Sequence, residues 1–272
     1  MKNYVSFFLL ALGGGFGSSA MAENGPERQA QPESGFDAFL DSETVFNGKF
    51  SLWTELATDY VFRGESETND GDIPSLKAAL TWTHDSGGYA GLYVANNLFP
   101  GNDSEGHNPK INAIYGPYIG YAGEIGNTGF NYNGFLFQYL YPGDSDSNYL
   151  EMFNYVDKQF GDVNIKLEYS PTLTDWFGVD GVQSHNVAIH PSVALPHGFT
   201  LSGSLGRQMF ESQFDANWTH WNVGLSRNVF GYNLDLRYHD TDIEIGDNDF
   251  YGFSSNNHIV DSRFVAAISK SF

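Results

Sequence analysis

The sequence predicts an all-β fold: an antiparallel transmembrane β-barrel of about twelve strands, with both termini in the periplasm. Three observations carry this reading. Apolar and polar residues alternate from residue 48 to the C-terminus, the chain opens with an export signal, and its connections alternate between short and long.

The export signal is residues 1–22. Lys2 supplies the positive start, residues 4–12 the short apolar core, and Ala20-Met21-Ala22 the small-x-small cleavage site. That core is far shorter than the ~20 apolar residues a spanning helix requires. Residues 23–47, rich in Glu, Gln, Pro and Ser, bury little and read as a flexible periplasmic extension. The barrel domain is 48–272.

The first run sets the pattern. Phe50, Leu52, Thr54, Leu56, Thr58, Tyr60 and Phe62 share one face, and Ser51, Trp53, Glu55, Ala57, Asp59, Val61 and Arg63 the other. Similar runs give strands at 48–63, 73–84, 88–98, 110–123, 128–141, 148–160, 162–170, 185–195, 198–208, 217–229, 231–240 and 258–272. Short turns fall at 85–87, 124–127, 161, 196–197 and 230, with longer loops between. Even-stranded outer-membrane barrels show this rhythm, with short periplasmic turns and long extracellular loops. The rival is a secreted soluble β-sandwich, which would also alternate. Against it stand strand length and the aromatic pairs at strand ends (Tyr60 and Phe62, Tyr139 and Tyr141, Trp218 and Trp221), read as interfacial girdles. The C-terminal strand adds Phe264, Ile268 and Phe272 as an assembly signal, with Lys270 in the same phase.

Composition narrows the function. The 272 residues carry 33 acidic and 13 basic side chains, a formal charge of −20, which argues against a nucleic-acid partner. The absence of Cys excludes disulfides, thiolate metal sites and Cys nucleophiles.

Residues 58–68 (TDYVFRGESET), followed by Pro74, resemble the opening signature of the TorF-type porin family, an outer-membrane conserved hypothetical family. The segments 88–97 (GYAGLYVANN), 118–123 (YIGYAG), 141–143 (YPG), 148–151 (NYLE) and 169–171 (YSP) extend the resemblance across 58–171. It implies a porin-like barrel.

By strand phase the lumen receives Glu55, Asp59, Arg63, Lys77, Glu151, Lys166, Glu168, Asp235, Arg237, Asp261 and Arg263, the candidate pore-lining residues. Both signs are present, as in a charged constriction or a set of internal ion pairs. The acidic excess falls in the long loops: Glu65, Glu67, Asp70, Asp72, Asp103, Glu105, Asp144, Asp146, Asp175, Asp180, Glu211, Asp215, Asp242, Glu244, Asp247 and Asp249. Such a rim would give a modest cation preference and weak contacts with divalent cations, but no defined metal site. His239-Asp240 is the best constellation for the alternative reading, a barrel enzyme with an Asp/His site at its mouth; no catalytic residue or cofactor is assigned. The expected function is passive diffusion of small hydrophilic solutes across the outer membrane of a Gram-negative bacterium. Its expected partners are outer-membrane lipid, lipopolysaccharide and the barrel assembly machinery.

Overall fold

The computed structural model describes residues 47–98, 112–211, 217–243 and 258–272. The predicted export signal and the extension up to residue 46 lie outside the described residues, as do Asp103, Glu105, Asp215, Glu244, Asp247 and Asp249.

Twelve antiparallel strands close into one barrel. They are β1 (Gly48–Ala57), β4 (Ser75–His84), β5 (Gly88–Asn96), β6 (Ala113–Glu124), β7 (Phe130–Tyr139), β8 (Tyr149–Phe160), β9 (Val163–Pro171), β10 (Gln183–Leu195), β11 (Phe199–Glu211), β12 (Trp218–Val229), β13 (Tyr232–Thr241) and β14 (Arg263–Ser271). A separate two-stranded hairpin, β2 (Val61–Phe62) with β3 (Glu65–Ser66), follows β1. β1 closes the ring by pairing with β4 on one side and β14 on the other. The seam is extended by Leu52 and Phe272, whose backbones exchange both hydrogen bonds at 2.9 and 3.3 Å. A closed ring excludes the β-sandwich.

Alternation decides what each face meets. Leu76, Ile119, Leu167, Leu205, Leu236 and Phe264 each leave more than half of their surface exposed on the barrel exterior. A wall of exposed aliphatic and aromatic residues on a closed ladder is a lipid-facing surface. At the end with the short turns, Tyr121, Phe130, Phe160, Phe230, Tyr232 and Phe272 are exposed and form an aromatic belt. The N-terminus of β1 and the C-terminus of β14 lie at this same end, since Gly48 pairs with His84 and Ser269 with Asn233.

The girdle read from Tyr60, Tyr139, Tyr141 and Trp218 is corrected. All four are buried inside the barrel. They belong to an internal cluster with Tyr93, Phe137, Tyr149 and Phe153. Ring centroids lie 4.3 Å apart for Tyr139–Tyr149, 4.5 Å for Phe137–Tyr139 and 4.9 Å for Phe135–Phe153. The cluster fills the half of the lumen faced by β5–β8 and reaches Phe210 and Trp218 at the loop ends of β11 and β12. Opposite it, β11–β14 present small or polar residues inward: Ser202, Ser204, Gly224, Ser226 and Ser269.

Gly116 shows how tightly the rings are fitted: a Cβ there would lie 1.8 Å from Phe137 Cζ. Gly116→Ala is therefore expected to destabilise the barrel by about 1–3 kcal/mol, as overpacking does, read as a lower unfolding midpoint in urea. Deleting Phe272 removes a backbone pair from the seam and is expected to reduce the folded, heat-modifiable fraction on unheated gels.

Candidate functional site

The first strand is shorter than predicted, and the difference creates the site. β1 ends at Ala57, Thr58 still bonds to Ala266 of β14, and residues 59–68 turn inward across the lumen before the chain returns to the exposed Asp70 and Asp72. β2 and β3 are joined by the two-residue turn Arg63-Gly64, with φ of 49° and 93°. Positive φ at both central residues is the type I′ geometry whose twist suits a tight hairpin. Gly64 adopts it freely. For Arg63 it costs about 1–2 kcal/mol, which the surrounding contacts must offset.

Those contacts reach most of the way round the barrel. Arg63 Nη2 lies 2.6 Å from Glu151 Oε1 on β8 and 3.6 Å from Glu168 Oε1 on β9. Its guanidinium also sits 4.6 Å from the Phe62 ring centroid and 5.8 Å from that of Phe153. Trp218 Nε1 on β12 donates to the Arg63 carbonyl at 2.8 Å. Gly64 is pressed against Thr241 and His220, so that an added Cβ would meet Thr241 Cβ at 2.7 Å. Phe62 packs on Tyr139, and Val61 joins Ala57 and Val265 in a small apolar cluster.

Asp59 ties the base of the hairpin. Its Oδ1 accepts from the hydroxyls of Ser66 and Thr68, and its Oδ2 from Arg263 Nη1 at 2.7 Å. Arg263 also lies 3.0 Å from Asp70. Glu67 accepts from the Asn97 side chain, and its carbonyl from Leu98 N.

The remaining interior charges form local sets. Lys77 pairs with Glu55 at 3.0 Å and sits 4.1 Å from the Tyr60 ring centroid. Arg237 donates twice to Asp235 and once each to Asn222 and Ser202. Glu168 accepts from Ser170 and Asn186 and lies 2.8 Å from His190 Nε2. Lys166 lies 5.4 Å from the Tyr155 ring centroid. It sits beside Asp157, its cross-strand neighbour, which accepts from Asn131 and Asn164. Asn131, Asp157 and Asn164 are part-exposed and line the lumen toward the turn end beside the buried Lys166.

The structure thus places ten of the proposed lumen residues inside the barrel: Glu55, Asp59, Arg63, Lys77, Glu151, Lys166, Glu168, Asp235, Arg237 and Arg263. Asp59 and Arg63 arrive there on the hairpin rather than on a strand. Asp261 is corrected: it precedes β14, is exposed, and lies 2.6 Å from His258. Glu65 and Glu67, read as rim residues, are also corrected: both belong to the inward segment and are buried. Phe264, Ile268 and Phe272 face outward, along with the Lys270 stem. His239 and Asp240 do not form a site together. His239 is buried in the lumen, while Asp240 faces the other side and accepts from Tyr238. Neighbours on a strand point to opposite faces.

His190, Asn186 and Asn97 were not singled out from the sequence. In β10 the signal was available, because Asn186 and His190 share the phase of Ser184 and Ala188.

A family model described as a bacterial protein of unknown function, Gcw_chp, matches residues 44–272. The chain belongs to the Gcw_chp family. No curated protein matches it in sequence. Among solved structures, the KdgM porin in complex with disordered oligogalacturonate is similar at TM-score 0.51 and 10% identity, covering 82% of this chain and 99% of that one. The COG4313 outer-membrane channel from Pseudomonas putida F1 follows at TM-score 0.47 and 11% identity, covering 85% and 98%. The KdgM likeness shows the fold alone. Together with the lipid-facing wall, that fold makes this Gcw_chp chain an outer-membrane barrel of the kind found in Gram-negative channels and porins.

Removing Arg63 would strand Glu151, which is fully buried. Arg63→Ala is expected to cost about 3–5 kcal/mol of stability, the usual result of breaking a buried pair. Arg63→Ala combined with Glu151→Gln should recover part of that loss, measured as unfolding midpoints across a double-mutant cycle.

Proposed function

We propose that this Gcw_chp protein is a porin-like channel for small hydrophilic solutes, with its turn end in the periplasm, and not an enzyme. The observation that carries the reading is the asymmetric interior. Aromatic rings fill one half, while the half faced by β11–β14 is walled by serines, glycine, Asn222 and the Asp235–Arg237 pair. Twelve strands enclose more width than side chains of that size occupy. A wall of hydroxyls and amides suits solutes that travel hydrated. The resemblance of residues 58–171 to TorF-type porins supports the same reading, as does the porin fold of KdgM. Among the described residues the His–acid contacts are dispersed: His190–Glu168 lies in the lumen, His185–Glu211 on the outer face beside Tyr169, and His258–Asp261 in a loop, which weakens the reading of one catalytic centre at the mouth.

At the loop end, exposed Asp70, Asp72, Asp146, Asp180, Glu211 and Asp242 face a single exposed cation among the described residues there, Arg207. An acidic rim concentrates cations within a Debye length, ~30 Å at 0.01 M salt and ~3 Å at 1 M. Planar-bilayer recording of the refolded protein should show discrete conductance with a modest cation preference at low salt that shrinks at high salt. Replacing Asp70, Asp146, Asp180 and Glu211 by Asn or Gln should weaken the preference without abolishing conductance. Anion selectivity at low salt, or folded protein that never conducts under any condition, would overturn this assignment.

A further inference from the structure

We propose that the 58–72 hairpin is a gate, latched in the lumen by Arg63 and released outward when its two buried carboxyls, Glu65 and Glu67, ionise. The inference rests on the channel reading and adds its regulation. The hairpin occupies the loop end of the lumen and presses Gly64 on β12 and β13, directly over the small-residue wall. In this position it blocks the route that the wall would offer.

The fastening is uneven. Arg63 and Asp59 are ion-paired to the barrel. Glu65 is not: its Oε1 is buried without a hydrogen-bond partner, and no described cation lies within 4.0 Å of either Glu65 or Glu67. A buried carboxylate left like this is expensive, and such groups hold a proton instead. Around Glu67 stand Asp59 and Tyr60 of the hairpin itself, Lys77 from β4, Asn97 after β5 and Tyr141 after β7. Around Glu65 stand Glu67 and Arg63. β12 brings His220 against Gly64 at the tip, β13 carries His239 buried in the lumen near Lys77 and Arg263, and the 258–260 turn packed on β3 carries His258, exposed and bonded to Asp261.

Both glutamates lie outside the membrane-spanning strands. Burial pushes Glu65 up to about 8, with Glu67 adding to the rise and Arg63 opposing it. Burial likewise pushes Glu67 up to about 7, opposed first by the Asn97 hydrogen bond. In an outward hairpin both would titrate near the ordinary glutamate value of about 4.3. The inward state therefore binds protons more tightly. It is most favoured in acid, loses ground as pH rises from about 5, and levels off once pH passes about 8.

The chain has no native cysteine, so one introduced thiol reports cleanly. Val61→Cys places it on the hairpin, 4% exposed when the hairpin is in. Ser145→Cys, on an exposed loop, serves as the reference for intrinsic thiol reactivity. The measured quantity is the Val61→Cys to Ser145→Cys ratio of labelling rates by a membrane-impermeant maleimide, taken on heat-modifiable protein. It should rise at least tenfold from pH 5.5 to pH 8.5. Adding Glu65→Gln and Glu67→Gln should hold the pH 8.5 ratio at its pH 5.5 level.

A second measurement needs no thiol. Trypsin at pH 8.5 should cut the wild-type chain after Arg63 and cut the Glu65→Gln/Glu67→Gln variant at least tenfold more slowly. A pH-independent ratio, or equal cleavage of the two chains, would falsify the gate. Bilayer recording separates this from the channel reading. Conductance with no change in labelling sinks the gate alone, whereas labelling that changes without conductance sinks the channel and leaves the hairpin release standing.

Discussion

Everything in this molecule follows from closing a hydrogen-bonded ladder in lipid. A strand edge cannot be left open where no water is available to satisfy its backbone groups, so β1 must pair on both sides. Closure at twelve strands fixes a width, and that width poses a problem that side chains alone must solve. The interior is too broad for one layer of aliphatic residues and, unlike the exterior, receives no lipid. This chain meets the problem in two ways: bulky rings from β5–β8, and a length of its own backbone folded inward after β1.

The charged residues make sense in that setting. Arg63 is held in a left-handed turn by partners on β8, β9 and β12, which lie far from it in sequence and near it only because the barrel is closed. Arg237 is satisfied by Asp235, Asn222 and Ser202, and Gly224 leaves room for its guanidinium. Each interior cation therefore depends on the strand register, and each would be an uncompensated charge if the register slipped by one residue.

The strands were legible because period-two alternation is strong wherever one face meets lipid. In β6, Tyr115, Ile119 and Tyr121 recur at every second or fourth position and are exposed. Legibility failed where the interior is itself apolar. Tyr139, Tyr141 and Trp218 suit a lipid girdle as well as an internal stack, and residue type does not separate the two; only strand phase does. The end of β1 misled for a similar reason. Thr58, Tyr60 and Phe62 continue the alternation of Phe50 to Leu56, yet from Asp59 onward the chain has turned inward. The clue lay in Arg63-Gly64, a turn dipeptide between two short runs, and in Asp59 with Ser66 and Thr68 spaced to bridge a hairpin. Glu65 and Glu67 were misplaced with it, since a loop is expected to be solvated.

The inward hairpin also bears on how the chain acquires its shape. Arg63 and Glu151 are 88 positions apart, and Arg263 and Asp59 are 204 apart. Contacts of such separation form late and slowly, because loop entropy is lost before they repay it. The hairpin hangs from β1, the strand that must also find β14 to complete the ring. Tucking the hairpin and sealing the seam during assembly therefore both wait on β1 finding its partners. A barrel built in this way resists coming apart through the height of its unfolding barrier, beyond whatever its equilibrium stability provides.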